Sequence, residues 1–379
     1  MPKTLEIQQF PLWDKLKDKS VPLSFDLELT ARCNNDCRHC YINLPANDPV
    51  ARDGELSLAE ISRIADEAVS LGAIWCLITG GEPLLRPDFA EVYLTLKRKG
   101  LLVSVFTNAT FVNEDHVALF KKYPPRDIEV TVYGVTQDTY ERVTRRAGSF
   151  AAFRRGLDWL LEGGVKVRFK AMALRSNLHE LPAIARFCRE LTKDYFRFDP
   201  LLHLRFDGNA ARNEEICAER LSSEEIVAID QADEQRFSAL EKWRDKLIVP
   251  EFAHVGCDHL FHCGVGIGGF TVSYDGLFRL CSSLCDPECV YDLRKGRLAD
   301  AWHNFLPKVR DMRSNRKEFL ETCRACPIIN LCLWCPARAH LETGELDGAV
   351  PYFCDVAHAR AAAIEESAKR SSKESAVAR

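Results

Sequence analysis

The sequence lacks apolar runs long enough to cross a membrane, and it has no surplus of basic charge. No stretch approaches the ~18 apolar residues that a bilayer requires. The N-terminal segment has no apolar run between a basic start and a cleavage site, so we expect no signal peptide. The 51 Lys and Arg residues are outnumbered by 55 Asp and Glu residues, whereas nucleic-acid binding favours a basic excess. We therefore expect a cytoplasmic protein that binds neither membranes nor nucleic acid.

The composition also lacks the marks of disorder. Hydrophobic residues make up 46% and charged residues 28% of the 379 residues, proportions that are ordinary for a globular protein. At about 150 residues per domain, this length suggests two domains. We expect an N-terminal extension, a first domain, a charged helical bridge, a cysteine-rich second domain and a flexible tail, at residues 1–22, 23–210, 211–250, 251–360 and 361–379.

Apolar runs alternate with amphipathic helical patterns between residues 25 and 205. Strands are predicted at Phe25–Thr30, Ile74–Thr79, Leu102–Thr107, Ile128–Tyr133, Val165–Leu174 and Tyr195–Leu204. Helices are predicted between them at Leu58–Leu71, Phe89–Lys99, Glu114–Lys122, Phe150–Glu162 and Glu180–Leu191. This alternation predicts an α/β fold, a partial (β/α)6 TIM-like barrel with its functional residues at the carboxyl ends of the strands. Farther along, Asp275-Gly276 between two short apolar runs predicts a hairpin over residues 269–280.

Cysteine, in contrast, is abundant: the chain has sixteen. Because the cytosol keeps thiols reduced, their clustering indicates metal binding rather than disulfides. Cys33, Cys37 and Cys40 follow the first predicted strand. Three thiolates can hold three corners of a four-iron cluster and leave one iron open. A structural zinc would need a fourth ligand, for which His39 is the one local candidate.

A second motif, Gly80-Gly81-Glu82-Pro83, ends the second predicted strand. Alone it would be interpreted as a strand-to-helix turn, but here it lies on the same face of the sheet as the cysteine loop. Glycines allow backbone to approach a ligand closely, and Glu82 supplies a carboxylate. With C-x3-C-x2-C followed by GGEP, the chain resembles the radical S-adenosylmethionine (SAM) enzymes.

That resemblance implies a set of roles around one cofactor. Cys33, Cys37 and Cys40 would hold a [4Fe–4S] cluster whose open iron binds SAM, and Gly80–Pro83 would bind the methionine amino group. His39 would lie by the adenine. Thr107, Asn108 and Thr131, at strand ends, would line the cavity for SAM and substrate, with Thr131 near the ribose. An ordinary buried threonine or strand end is the alternative at each of these three positions.

The cysteines beyond residue 250 resemble the SPASM extension of one branch of this family. The resemblance implies two auxiliary [4Fe–4S] clusters, three clusters in all. Their ligands would be Cys257, Cys263, Cys281 and Cys335 for the first, and Cys323, Cys326, Cys332 and Cys354 for the second. The spacing alone fits two zinc ribbons as well. The separation of Cys332 from Cys335 by two residues, where many members have three, leaves ligand exchange between the two clusters open.

Several other residues have two interpretations. Cys285 and Cys289 are either buried structural cysteines or alternative ligands and redox-active thiols. Arg142, Arg145 and Arg146 are predicted to form a solvated basic face. Ser282 stands where sulfatase-maturing members have an Asp that acts as base, which disfavours that activity.

The resemblance favours an enzyme that oxidatively modifies a ribosomally made peptide, by a cross-link or a related change. A small-molecule oxidation or decarboxylation (tetrapyrrole, sugar or nucleoside) is the alternative. The segment before the first strand is too short for a winged-helix recognition domain, so we expect a separate carrier protein or a small substrate. A flavodoxin- or ferredoxin-type protein would donate electrons. An iron–sulfur electron-transfer protein or a zinc-binding module is the non-enzymatic hypothesis.

Overall fold

The structure, a computed structural model, describes residues 20–194, 196–249 and 257–377, with side chains described as far as residue 370. Five predictions fall partly outside these ranges: most of the N-terminal extension, the first residue of the strand predicted at Tyr195–Leu204, residue 250 of the helical bridge, residues 251–256 of the cysteine-rich domain, and residues 378–379 of the tail. Within them, no helix is long and apolar enough to cross a bilayer.

Six parallel strands form the centre of the molecule. In the sheet they follow the chain order β1-β4-β5-β6-β7-β8, and every neighbouring pair is parallel. This confirms the α/β prediction with six parallel strands. The strands of the chain are β1 (Ser24–Glu28), β2 (Arg32–Cys33), β3 (Leu44–Pro45), β4 (Trp75–Thr79), β5 (Leu102–Thr107), β6 (Asp127–Thr131), β7 (Val167–Met172), β8 (Arg197–Asp199), β9 (Gly269–Val272), β10 (Leu277–Arg279) and β11 (Val290–Asp292).

Helices connect the strands and continue after them. Ser57 and Glu60 form a capping box that starts α2 at the predicted residue. The helix Gln137–Thr144 was not predicted; Thr136 caps its start. In chain order the helices are α1 (Pro49–Gly54), α2 (Leu58–Leu71), α3 (Phe89–Arg98), α4 (Glu114–Lys122), α5 (Gln137–Thr144), α6 (Ser149–Glu162), α7 (Leu181–Leu191), α8 (Ala210–Glu219), α9 (Ser223–Ala232), α10 (Glu234–Lys242), α11 (Arg244–Leu247), α12 (Leu298–Asp300), α13 (Leu306–Arg310), α14 (Ile329–Cys332), α15 (Pro336–Thr343) and α16 (Pro351–Val377).

The sheet does not end at β1. Strand β9 pairs in parallel with the free edge of β1, and β10 and β11 extend it antiparallel, so the sheet has nine strands in the described part of the chain. The predicted hairpin is confirmed, with Gly276 at φ 89° in its turn. Phe25 of β1 stacks on Phe270 of β9 with ring centroids 5.5 Å apart. The cysteine-rich region therefore shares a sheet and a core with the barrel, instead of packing as a separate unit.

The C-terminal helix corrects the predicted start of the flexible tail. Residues 361–377 continue α16, and Ala361 and Ile364 are buried against Ile328 and Leu331. Helix α16 also contacts the bridge between the two regions, where Arg360 Nε donates to Asp230 Oδ2 at 2.7 Å. A tail beginning at residue 361 is therefore wrong, because this stretch has an apolar face that the core covers.

Candidate active site at the carboxyl ends of the strands

The first three cysteines lie together in the loop that leaves β1. Burial raises the pKa of each thiol, and the neighbouring Cys33 and Cys40 raise the pKa of Cys37 further. The Tyr133 side chain hydrogen-bonds the Cys37 thiol. Thiols that stay protonated in such a place become strong ligands when a metal supplies the compensating positive charge. The donor set therefore fits an iron–sulfur cluster.

Three arginines from distant parts of the chain hold the backbone of this loop. Arg205 Nη1 donates to Cys40 O at 3.3 Å, Arg212 Nη2 to Cys37 O at 3.1 Å, and Arg145 Nε to Asp36 O at 2.7 Å. A loop that turns its thiols inward leaves its carbonyls without partners from regular structure, and the guanidinium groups satisfy them. The prediction of a solvated basic face is thus wrong for Arg145. No local pattern marked Arg205 or Arg212.

The two glycines of the Gly80–Pro83 loop are required by its close approach to the exit of β1. A Cβ on Gly80 would lie 2.3 Å from Thr30 O, and one on Gly81 would lie 2.2 Å from Arg32 O. Gly81 N donates to Thr30 O at 2.6 Å. Glycine was expected here so that a ligand could approach the backbone. In the structure, the backbone of Thr30 and Arg32 occupies the space that a side chain at these positions would need.

The Glu82 carboxylate connects the ends of β4 and β5. It is fully buried and accepts hydrogen bonds from Thr107 Oγ1 at 2.8 Å, from Asn108 N at 2.7 Å and from Leu84 N at 3.1 Å. Burial raises its pKa to about 7. The Glu82 and Thr107 side chains therefore hydrogen-bond each other and hold the ends of the two strands together.

One cavity of about 410 Å³ brings most of the predicted site residues together. Around it lie Cys33, Cys37, Cys40, His39, Gly80, Gly81, Thr107, Asn108 and Thr131, whereas Glu82 and Pro83 are not among the lining residues. His39 Nδ1 and both polar side-chain atoms of Asn35 are buried there without a hydrogen-bond partner in the described part of the chain. Unsatisfied buried polar atoms are costly, and a polar ligand in the cavity would satisfy them.

This cavity also has charged walls, which no sequence motif indicated. Asp26 and Glu28 from β1, and Lys170, Arg197 and Asp199 from β7 and β8, line it. Lys170 Nζ lies 3.1 Å from Glu129 Oε1 and 4.1 Å from the Phe106 ring centroid. Period-two alternation could have indicated inward charges, but strand charges ordinarily face solvent.

The C-terminal cysteines separate into two groups. Burial and neighbouring thiols, Cys326 among them, raise the pKa of Cys323, Cys332 and Cys354. Burial and the neighbouring Cys263 likewise raise the pKa of Cys281 and Cys335. Cys257 Sγ lies 3.4 Å from His259 Nδ1 and 3.6 Å from His262 Nε2. Among the described residues, no three Cys, His, Asp or Glu side chains converge closely enough for a single metal ion.

Of the two cysteines with open interpretations, Cys285 has no cysteine among the groups that shift its pKa, whereas Cys281 raises the pKa of Cys289 after the larger effects of burial, Asp286 and Glu288. Cys289 is fully buried, with Sγ 3.7 Å from Met312 Sδ, which is typical of a core residue. Cys285 lies by Arg279 and Glu28, and burial raises its pKa to about 11. It is therefore not an activated thiol in this structure.

Known proteins share both the sequence and the fold. The radical SAM superfamily model matches residues 27–188. The subtilosin biosynthesis protein AlbA of Bacillus subtilis is 29% identical over 47% of this chain but only 39% of its own length. An AdoMet-dependent heme synthase of Methanosarcina barkeri is 24% identical over 88% of this chain and 96% of its own. The crystal structure of Streptococcus suis SuiB bound to its precursor peptide SuiA has a TM-score of 0.65, with 15% identity over 90% of this chain and 78% of that one.

The fold and the matched residues support one another. The segment 27–188 runs from β1 through α7, which includes the cysteine loop, the Gly80–Pro83 loop and five of the six parallel strands. Residues 27–188 of this chain are therefore similar to the radical SAM superfamily.

Proposed function

We propose that the chain is a radical SAM enzyme of the SPASM type that oxidatively modifies a peptide. The observation that carries the proposal is the single cavity in which the three-cysteine loop, the exits of β4 to β6 and the charged strand faces meet. A protein that only relays electrons needs no such cavity next to its metal site. Three rather than four cysteines in the loop also leave one iron open for a ligand.

Cys33, Cys37 and Cys40 would hold the SAM-binding cluster, and the two C-terminal groups would hold auxiliary clusters. When bound, the first cluster supplies the electron that cleaves SAM to a 5′-deoxyadenosyl radical. The chain itself keeps the loop in place through its arginines and excludes water by burial. His39 and Asn108 border the space for the cofactor, and the ends of β1, β7 and β8 border the space for the substrate.

Zinc is the weaker interpretation of the C-terminal cysteines. Zinc draws four ligands to one ion, with each sulfur about 2.3 Å from the metal. A four-iron cluster spreads its four cysteines over four separate irons, so their sulfurs stand farther apart. Two groups of thiols that interact without converging on one point favour clusters. Cys257 would complete the first group.

The size of the cavity favours a peptide as substrate. Pockets for one drug-sized ligand have volumes of roughly 300–1000 Å³, so about 410 Å³ leaves little room beside SAM. A single side chain presented by a peptide fits that space better than a whole macrocycle. Two of the similar proteins are described in connection with peptides: one as a bacteriocin biosynthesis protein and one as a complex with a precursor peptide.

A tetrapyrrole is the second candidate substrate. The observation in its favour is the alignment with the AdoMet-dependent heme synthase, which spans 96% of that protein. For either substrate we propose a flavodoxin- or ferredoxin-type electron donor, and for a peptide a separate carrier protein. A cytoplasmic location remains our proposal, because all sixteen cysteines are unpaired and a reducing compartment preserves them.

The test compares three cysteine variants of protein loaded anaerobically with iron and sulfide. Cys33→Ala should abolish formation of 5′-deoxyadenosine from SAM. Cys281→Ala should retain SAM cleavage but form no modified substrate. Cys217→Ala, which removes an exposed thiol outside both sites, is the control and should behave like the unsubstituted protein.

The assay follows 5′-deoxyadenosine together with the masses of short peptides encoded near the gene, with and without a carrier. A peptide that loses two hydrogens in step with 5′-deoxyadenosine would support a peptide-modifying enzyme. Cofactor cleavage with coproporphyrin decarboxylation instead would favour the tetrapyrrole. Absence of 5′-deoxyadenosine from fully loaded protein would refute the enzyme proposal.

A further inference from the structure

Strand β1 turns two carboxylates toward the cavity. Asp26 and Glu28 are two residues apart, so the alternation of a strand places them on one face, and both line the cavity. Phe25 and Leu27 point into the core on the other face. Glu28 is only 2% exposed, which is unusual for a carboxylate that lacks a close cationic partner.

The Glu28 carboxylate has few hydrogen-bond and ion-pair contacts among the described residues. Its Oε2 atom has no hydrogen-bond partner within the described ranges. The nearest cation is Arg279, whose Nη1 lies 4.0 Å away, too far for a hydrogen bond. That Nη1 instead donates to Ser282 O at 3.3 Å, and the guanidinium lies over the Phe206 ring.

The charges around Glu28 leave this wall negative. The groups that act on it are Arg279 of β10, Asp275 of the hairpin turn and Asp26 of its own strand, which makes three carboxylates against one guanidinium. Tyr41 and Cys285 also face it, and neither carries positive charge.

The cations across the cavity are paired with a carboxylate on their own side. Lys170 and Arg197 pair with Glu129 at 3.1 Å and 3.3 Å. Burial lowers the pKa of His203 to about 3, so this imidazole is neutral. Buried negative charge that is only partly compensated is expensive, and within the described ranges the two β1 carboxylates have only the Arg279 contact, 4.0 Å from Glu28, to offset them.

We propose that Asp26 and Glu28 bind a cationic group of the substrate, a primary ammonium or a guanidinium such as the side chain of a lysine or arginine in the peptide. This inference rests on the proposed function, because the cavity is the one that the SAM site shares. The carboxylates supply acceptors from one side, and the polar cavity leaves the rest of the substrate free to reach the cofactor. A charge-assisted hydrogen bond is about twice as strong as a neutral one, so the pair would select among side chains.

The test measures peptide binding directly on the iron-loaded protein. The probes are pentapeptides Gly-Gly-X-Gly-Gly in which X is lysine, arginine, norleucine or glutamate, titrated by nuclear magnetic resonance at pH 8. We expect the lysine or arginine peptide to bind about ten- to a hundredfold more tightly than the norleucine peptide. Glu28→Gln and, independently, Asp26→Asn should remove that preference. Glu114→Gln, an exposed carboxylate outside the cavity, is the matched control and should retain it.

The affinity for the cationic peptide should also rise between pH 5.5 and 8. Burial raises the pKa of Glu28 to about 7 and that of Asp26 to about 6, whereas the lysine ammonium stays charged throughout. The thermal unfolding of each variant is measured alongside, so that loss of binding is separated from loss of fold; Asp26→Asn provides the second, independent variant.

Equal affinity for the lysine, arginine and norleucine peptides, or no binding of any of them, would overturn the inference. So would a loss of SAM affinity in Glu28→Gln, since the carboxylates would then serve the sulfonium of the cofactor. A chain that binds the lysine peptide through Glu28 but forms no 5′-deoxyadenosine would retain this site and refute the proposed function. A chain that cleaves SAM but binds all the peptides equally would support the proposed function and refute the cation site.

Discussion

At the scale of single residues, two glutamates that are equally buried differ in their hydrogen bonding. Burial raises the pKa of both Glu82 and Glu28 to about 7. Glu82 accepts three hydrogen bonds from the exits of β4 and β5, so its carboxylate is part of the scaffold. Glu28 keeps an oxygen without a hydrogen-bond partner among the described residues. Buried polar groups that the fold leaves unsatisfied point to ligands.

Glu28→Gln should change how stability depends on pH. A carboxyl whose folded pKa, about 7, lies above its ordinary value of 4.5 binds more protons folded than unfolded. The stability that the neutral Glu28 carboxyl group contributes is therefore fully present below pH 4.5 and is lost as the pH rises through 7. The loss in the free energy of unfolding is on the order of 3 kcal/mol. Urea unfolding of the loaded protein at pH 5 and pH 8 should show a smaller difference in the free energy of unfolding for the variant.

At pH 8 the glutamine variant should also be more stable than the unsubstituted protein, because it removes a buried charge. Asp26, whose pKa burial also raises, keeps part of the pH dependence in both proteins. For the control Glu114→Gln, the free energy of unfolding should depend on pH as it does in the unsubstituted protein. An unchanged difference between pH 5 and pH 8 in Glu28→Gln would mean that Glu28 is ionised at both pH values.

At the scale of elements, the exits of β1 and β4 form one packed unit. Gly81 N and Glu82 N donate to the carbonyls of Thr30 and Arg32, at 2.6 Å and 2.9 Å. Arg32 in turn forms an ion pair with Glu55, its Nε 2.7 Å from Oε1. The cysteine loop therefore has a rigid support on this side and the arginines on the other. The positions of the thiols depend on backbone packing as much as on their spacing.

Gly81→Ala should disrupt this support. The new Cβ would lie 2.2 Å from Arg32 O, so one of the two loops must move, at a cost of roughly 2–4 kcal/mol. We expect faster loss of iron to a chelator and a lower midpoint of thermal unfolding. Gly268→Ala is the control, because a Cβ there meets no atom within 4 Å. Equal iron retention in the two variants would show that the loop tolerates the shift.

At the scale of the whole molecule, the nine-stranded sheet joins the two regions that carry the cysteines. Ser24 N donates to Gly268 O at 3.1 Å, and β1 and β9 pair over four residues. Trp302 Nε1 donates to Ser20 O at 3.1 Å. Because β1 leads into the first cysteine loop and the hairpin beyond β9 leads to Cys281, the sheet sets the distance between that loop and Cys281.

Phe270→Ala should therefore destabilise both regions together. Phe270 is 3% exposed and stacks on Phe25 of β1, and deleting a buried phenyl ring costs about 3–5 kcal/mol. Hydrogen exchange measured by mass spectrometry should show β1 and β9 opening with the same, lowered free energy. Ile267→Ala, at a position 53% exposed, should leave both unchanged. Opening of β9 alone would indicate an independently folding C-terminal domain.

The sequence by itself determined the strand–helix order, the bounds of helices such as Leu58–Leu71, the hairpin turn and the close spacing of the first three cysteines. These features depend on local periodicity, helix caps and short spacings, all of which involve residues that are close in sequence. Cys33, Cys37 and Cys40 could be recognised because they share one loop.

Only the tertiary structure decided how distant residues meet. Arg205 reaches Cys40 across the sequence, β9 joins the edge of β1, and Glu28 faces the cavity without a close partner. A local pattern does not contain these contacts, because each depends on where the folded backbone carries a residue that is unremarkable in sequence. The support of the cysteine loop and the negative wall of the cavity therefore emerge only when the sheet has formed.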